Sequence, residues 1–237
     1  MNRLSKRYKG LLTRVDAGKE YDVDGAVACL LQLRSAKFNE TVELSVKLGI
    51  DTKKTQQPVR GSVVLPHGTG RKIRILVFTQ GEAIAKAQAA GADHVGGQDL
   101  VEKVKGGWME FDAVIATPDV MKMVAPLGKV LGPRGLMPSP KTGTVTFDVD
   151  KIIAELQKGR IDFKMDKDAN VQFSVGKAGF EAEQLRDNIT AAVTAVANAK
   201  PPSAKGVFIK NVTLSLTMSP AVRLNTAGML QQSKTTA

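Results

Sequence analysis

Residues 72–91, KIRILVFTQGEAIAKAQAAG, decide how this chain is built. The first eight, rich in Ile, Leu and Val and without alternation, read as a buried strand, and the alanine-rich run after them reads as a helix stopped by Gly91. The same grammar repeats downstream. DHVG (93–96) is a short strand, DLVEKVKGG (99–107) a helix, FDAVIATP (111–118) a buried strand, and VDKIIAELQKG (149–159) a further helix. Strands and helices in the order β-α-β-α-β predict a parallel sheet.

Outside this stretch the pattern changes. Two amphipathic helices are expected near the start, from Lys6 to Val15 after a capping Ser5 and from Gly25 to Ala36 after a capping Asp24. In ETVELSVKLGI (40–50), Val42, Leu44, Val46 and Leu48 alternate with Glu43, Ser45 and Lys47, a half-buried strand. The polar loop DTKKTQQP (51–58), a strand in RGSVVLP (60–66) and the turn PHGTGR (66–71) follow. From Arg160 the same style returns. Strands RIDFKMD and NVQFSVG flank a KDAN turn, a long helix runs from Glu181 to Ala199, and GVFIKNVTLSLT (206–217) follows Pro201-Pro202; the terminal QQSKTTA reads as frayed. Two styles, one nested in the other, predict two domains: an α+β domain from residues 1–67 plus 160–237, and an α/β domain inserted at 68–159. The crossings at PHGTG and QKGR form the expected hinge.

Charge follows the same division. The chain has 34 Lys+Arg against 23 Asp+Glu, a net +11 typical of a protein that meets a polyanion. Residues 68–159 hold 12 basic and 10 acidic side chains, and the two ends together hold 22 and 13, so the basic character belongs to the ends. No apolar run approaches eighteen residues and no signal-type segment opens the chain, so a soluble, unexported protein without membrane association is expected. One cysteine, Cys29, excludes an internal disulfide and is read as a core thiol; with only His67 and His94 beside it, no usual zinc site can form.

The loop GPRGLMPSPKTG (132–143) differs by one residue from the phosphate-cradling pattern G-x-x-x-x-G-K-[ST], because Pro140 stands where the second glycine belongs. A cradle works through successive backbone N–H groups and a helix N-terminus, and proline lacks the N–H. Neither a nucleotide nor, without G-x-G-x-x-G after the first buried strand, a dinucleotide is expected, and no other cofactor. Arg134 and Lys141 on this stiff loop could meet RNA phosphate or protein. His67, Asp112 and Asp119 lack the neighbours a catalytic centre needs and are read as turn and cap residues.

For nucleic acid the useful pieces are AKFNETVE (36–43) and TMSP (217–220). Lys37 can meet phosphate, Phe38 can pack on a ribose or base, and Thr41 and Glu43 can bond 2′-hydroxyls or base edges. The low aromatic content argues against a general single-strand stacking platform.

Taken together, AKFNETVE, LGIDTKKTQQPVRGSVVLPHGTG, GADHVGG, FDAVIATPDVM, LGPRGLMPSPKTGTV and TMSP resemble the family of large-subunit ribosomal protein one in its bacterial form. The resemblance runs in order over nearly the whole chain. It implies a non-enzymatic cytoplasmic protein of the ribosome, monomeric when free, that binds 23S rRNA in the mobile side stalk of the large subunit. It further implies help in releasing exit-site tRNA and repression of its own operon through the messenger. It implies a basic two-layer α+β domain carrying the RNA surface and an inserted Rossmann-like three-layer α/β domain. By motif, Lys37, Phe38, Thr41 and Glu43 resemble one RNA-contacting cluster and Thr217, Met218, Ser219 and Pro220 another, with Lys167 in its turn near the same face. The family usually has glycine where Ser219 stands, which puts the close backbone approach there in question.

Overall fold

The structure, a computed structural model, describes residues 4–16, 18–50, 59–202, 204 and 206–225. The expected loop at 51–58 and the frayed end at 231–237 lie outside the described residues. The rest forms two compact units, one from the chain ends up to Gly70 and from Ile161, the other spanning Arg71–Arg160.

In the first unit, α1 (Lys6–Leu12) starts where Ser5 accepts the Tyr8 N–H at 3.3 Å, a side-chain cap of the kind the sequence announced. Next come β1 (Glu20–Tyr21) and α2 (Val23–Gln32). The second helix starts after Asp22, earlier than expected, and stops at Gln32, where the Leu33 N–H turns back to Leu30 O at 3.1 Å. Residues 33–40 are thereby released from the helix. The strands β2 (Thr41–Leu48) and β3 (Arg60–Val64) close the N-terminal part; β7 (Arg160–Lys164), β8 (Asn170–Lys177), α8 (Ala182–Asn198), β9 (Ile209–Leu216) and β10 (Val222–Leu224) complete the unit.

The main sheet has the order β1-β10-β9-β2-β8 and is antiparallel except for the β1–β10 pair. Its register stacks apolar rows: Leu44 lies opposite Phe173 and Leu214, Val46 opposite Val171 and Val212. The period of two sends Val42, Leu44, Val46 and Leu48 to one face, at most 1% exposed, against Leu30 of α2 and Leu185, Ile189, Ala192 and Val196 of α8. Burying each Leu or Val there is worth roughly 1.5–3 kcal/mol. The strands on either side of the KDAN turn join different sheets, β8 pairing with β2 and β7 with β3. Phe163 stacks on Phe173, ring centroids 5.5 Å apart, and a Cβ on Gly61 would lie 2.6 Å from the Phe163 ring, so any larger residue there would have to displace that ring.

The turn between β7 and β8 is held by Asp166. Its carboxylate accepts the backbone N–H groups of Asp168 (2.9 Å) and Asn170 (2.7 Å) and the Asn170 side-chain amide (3.1 Å). The Asn170 N–H is the main reason that this carboxyl titrates below the usual range, and burial opposes it only in part. On α8, fully buried Asn188 accepts the His67 N–H at 3.1 Å and donates to Gly68 O (3.0 Å) and Val175 O (2.8 Å). The PHGTG turn is thus tied to the helix, and His67 Nε2 meets Asp187 at 3.3 Å.

The second unit follows its parallel pattern. It contains β4 (Ile75–Phe78), α3 (Ala83–Ala89), β5 (His94–Gly96), α4 (Gln98–Lys105), β6 (Ala113–Ala116), α5 (Met121–Val124), α6 (Gly128–Leu131) and α7 (Val149–Gln157). The strand order is β5-β4-β6, all parallel. Ile75 and Val77 pack with Ala87, Ile153 and Leu156 on one side, while Leu76 and Phe78 pack with Val104, Phe111, Val124 and Leu131 on the other. Successive side chains point to opposite faces, which is why an unbroken apolar run marks a strand covered twice. The helical turns from Pro118 to Leu131 were not visible in the sequence, because α5 and α6 are single turns spliced by 3₁₀ turns containing Pro118 and Pro126. Asp112 braces the start of β4: burial acts most strongly to raise its carboxyl, but bonds from Arg74 and the charges of Arg71 and Arg74 together hold it below the usual range.

Candidate nucleic-acid interface

Backbone bonds decide the loop at 132–143 first. Pro140–Thr142 forms a 3₁₀ turn, and four N–H groups in and around it are bonded within the loop: Ser139 to Thr144 Oγ1 (2.8 Å), Thr142 to Ser139 O (3.2 Å), Gly143 to Pro140 O (3.1 Å) and Thr144 to Ser139 O (3.2 Å). Val145 then bridges to Ala116 of β6, so strand pairing, not a helix, follows the turn. The loop has no phosphate cradle.

Folding of the first unit brings AKFNETVE and TMSP together. In the sheet β2 lies next to β9, and the end of β9 reaches the start of β2: Val42 is opposite Leu216, and the Thr41 N–H donates to Thr217 Oγ1 at 3.1 Å. Lys177, opposite Thr41 on β8, donates to Thr41 Oγ1 at 2.7 Å. Each hydroxyl oxygen accepts one protein hydrogen bond and keeps its own proton to donate. Two O–H donors thus stand side by side, suited to phosphate oxygens, 2′-oxygens or base carbonyls. Phe38, three residues before Thr41, and Met218, the residue after Thr217, are 53% and 43% exposed, and Lys37 is exposed as well. Large apolar side chains left open next to hydroxyls and cations are what a base or ribose needs as a packing surface.

The other expected residues fall differently. Glu43 is exposed on β2, two residues further along, between Ser174 of β8 and Ser215 of β9. Ser219 turns inward: its hydroxyl accepts the Leu216 N–H at 2.9 Å and donates to Pro220 O at 2.9 Å. Its φ is not positive, since Ala169 (φ 59°) is the single such non-glycine residue described, so this turn does not need the conformational freedom of glycine. Pro220 is buried and presents no contact surface. Lys167 is exposed in the Asp166 turn at the far end of β2, where Lys47 is opposite Asn170; six residues separate Thr41 from Lys47, about 20 Å along a strand. The structure therefore separates Lys167 from the Thr217 cluster.

Sequence reading missed the rest of the open sheet face. Arg223, Thr213, Ser45 and Gln172 form one cross-strand row, and Ser215, Glu43 and Ser174 the next. Alternation in β8 and β9 could have placed these residues on the face opposite the core. Their neighbours across the sheet depend on strand order. Arg7 was also missed; its guanidinium donates to Met218 O (3.4 Å) and to Ser35 Oγ. Cys29 is half-buried, and burial pushes its thiol up. Among the described residues no group of three His, Cys, Asp or Glu could hold a metal, and no helix is long and apolar enough to cross a membrane.

A family model described as Ribosomal protein L1p/L10e matches residues 30–220, which include every residue of this cluster except Arg7. The chain belongs to this family. It is similar to proteins named Large ribosomal subunit protein uL1: 52% identical to that of Leifsonia xyli subsp. xyli over 95% of this chain and 98% of the relative. The figures are 49% for Chlamydia pneumoniae (97% and 99%) and 50% for Thermus thermophilus (95% and 99%). L1p/L10e members are ribosomal proteins, and the chain is not an enzyme.

Proposed function

We propose that the protein is a structural RNA-binding component of the large ribosomal subunit in the cytoplasm. It binds 23S rRNA in the mobile side stalk, helps release tRNA from the exit site, and represses its own operon by binding the messenger. Family membership and the names of its relatives support the ribosomal assignment. The observation that carries RNA binding is the Thr41–Thr217 bond, which joins the segment of exposed Phe38 to that of exposed Met218 on the strongly basic part of the chain. The tRNA and messenger roles rest on the resemblance.

On this reading residues 1–67 with 160–237 form the domain that carries the RNA surface, and 68–159 form an inserted domain with little affinity of its own. Sedimentation of the full chain with large subunits in moderate salt tests the assignment, together with its affinity for 23S rRNA over a range of salt. With about five phosphates contacted, log K falls against log salt with a slope of roughly −3 to −5. A chain that stays in the supernatant, or a 68–159 fragment that binds the rRNA as tightly as the whole, contradicts the proposal.

A further inference from the structure

Glu40 stands out as a buried charge. It is 1% exposed, in the link between α2 and β2. Its backbone carbonyl accepts the Ala178 N–H at 2.8 Å, fixing its place against the end of β8. Oε1 of its carboxylate accepts the Met218 N–H at 3.2 Å, across 178 residues of sequence. Oε2 is buried and has no hydrogen-bond partner among the described residues.

A buried carboxylate with one oxygen unbonded is costly, since the charge has left water and half of its acceptor capacity is unused. Such an unsatisfied group calls for a functional explanation. RNA cannot reach Oε2 directly, because that atom has almost no accessible surface. What Glu40 does touch is the backbone of the residue after Thr217. With Arg7 on the Met218 carbonyl, the Met218 backbone is held at both its N–H and its C=O. The Met218 N–H belongs to the peptide plane that joins it to Thr217, so holding it restrains the backbone that carries the Thr217 side chain, whose hydroxyl accepts the Thr41 N–H.

We propose that Glu40 is a positioning residue for the RNA contact, acting through the Met218 amide to hold the Thr217 hydroxyl and the Met218 side chain in place. The inference rests on the RNA-binding reading of this patch. It requires that the location of the acceptor matter, not its charge. Two variants of the full chain separate these: Glu40→Gln keeps the acceptor in place and removes the charge, and Glu40→Asp keeps the charge and withdraws the acceptor by one methylene.

Three measurements are made at a temperature where melting shows both variants folded: Met218 amide hydrogen exchange, affinity for in vitro transcribed 23S rRNA at several salt concentrations, and thermal melting. Glu40→Gln is expected to keep Met218 protection and RNA affinity within about twofold. Glu40→Asp is expected to speed Met218 exchange and weaken RNA binding, each by about tenfold or more, with an unchanged salt slope because no phosphate contact is lost. The proposal is overturned if Glu40→Asp binds RNA as the natural chain does, or if Glu40→Gln loses as much as Glu40→Asp. It is also overturned if Glu40→Gln binds more tightly, which would make charge repulsion the relevant effect. A natural chain that fails to bind the rRNA defeats the RNA reading instead, and Met218 exchange still reports whether Glu40 holds the turn.

Discussion

The backbone N–H of Thr41 donates to the hydroxyl of Thr217 at 3.1 Å, joining residues 176 positions apart. That bond is one task for Thr217 inside the fold; on the proposed RNA-binding reading its hydroxyl proton has a second, toward RNA. Replacing it as Thr217→Val removes both. RNA affinity should fall by about 1–3 kcal/mol as an RNA group loses its partner, and stability by about 0.5–1.5 kcal/mol as the Thr41 N–H loses its acceptor. Affinity measurements beside thermal melts check this; a variant that melts lower yet binds 23S rRNA as before would make Thr217 purely internal.

Ser219→Gly, which restores the residue usual in the family, should not improve binding. The serine hydroxyl serves the Leu216 N–H and the Pro220 carbonyl within its own turn, and its φ is already one any residue adopts. We expect unchanged RNA affinity, within about twofold, and a loss of roughly 1 kcal/mol in stability from the missing bonds. A large gain in affinity would show that the hydroxyl obstructs the RNA.

ATP and GTP should not bind the loop at 132–143, because Pro138 and Pro140 have no N–H to donate and those of Ser139, Thr142 and Gly143 are bonded within the loop. Equilibrium dialysis should find no saturable binding tighter than about 0.1 mM, equivalent to roughly −5.5 kcal/mol. Tighter binding that Lys141→Ala abolishes would contradict this.

Asn188→Ala should rank among the most damaging single changes in the first unit. It leaves the Val175 carbonyl without its partner in a buried place, and the His67 N–H and Gly68 carbonyl without theirs in partly buried ones. A loss of about 3 kcal/mol is expected, read by denaturant unfolding. Asn188→Asp should recover only part of it, since a carboxylate can accept from His67 but cannot donate to either carbonyl.

Stability should depend on Asp166 in acid. Its folded-state carboxyl titrates below the ordinary value of about 3.9, so its contribution is present above that pH and lost as pH falls through the depressed folded value. Melting curves of the natural chain and Asp166→Ala should therefore differ above about pH 4, the ordinary carboxyl value, and draw together as pH falls through the depressed folded value. A gap independent of pH would mean that the Asp166 turn is held by its backbone alone.

Local chemistry let the sequence determine several of these elements. Ser5 announced a cap because its hydroxyl needs only the N–H three residues on, and β2 announced its buried face because a period of two is fixed by the backbone of one strand. The unbroken run at Ile75–Phe78 announced a strand covered on both sides for the same reason. β1 and β10, two and three residues long, carry no period to read, and the single helical turns between Pro118 and Leu131 are cut by prolines before periodicity can build. Phe38, Thr41, Thr217 and Met218 could be named one by one, but residue type does not say which protein group satisfies a hydroxyl. Only the pairing of β2 with β9 and β8 gave the Thr41 N–H to Thr217, the Lys177 ammonium to Thr41, and the Met218 N–H to Glu40, while leaving Lys167 at the other end of the sheet. Those partners lie more than a hundred residues apart, and their meeting is set by strand order and register, which the apolar rows of the whole sheet determine together.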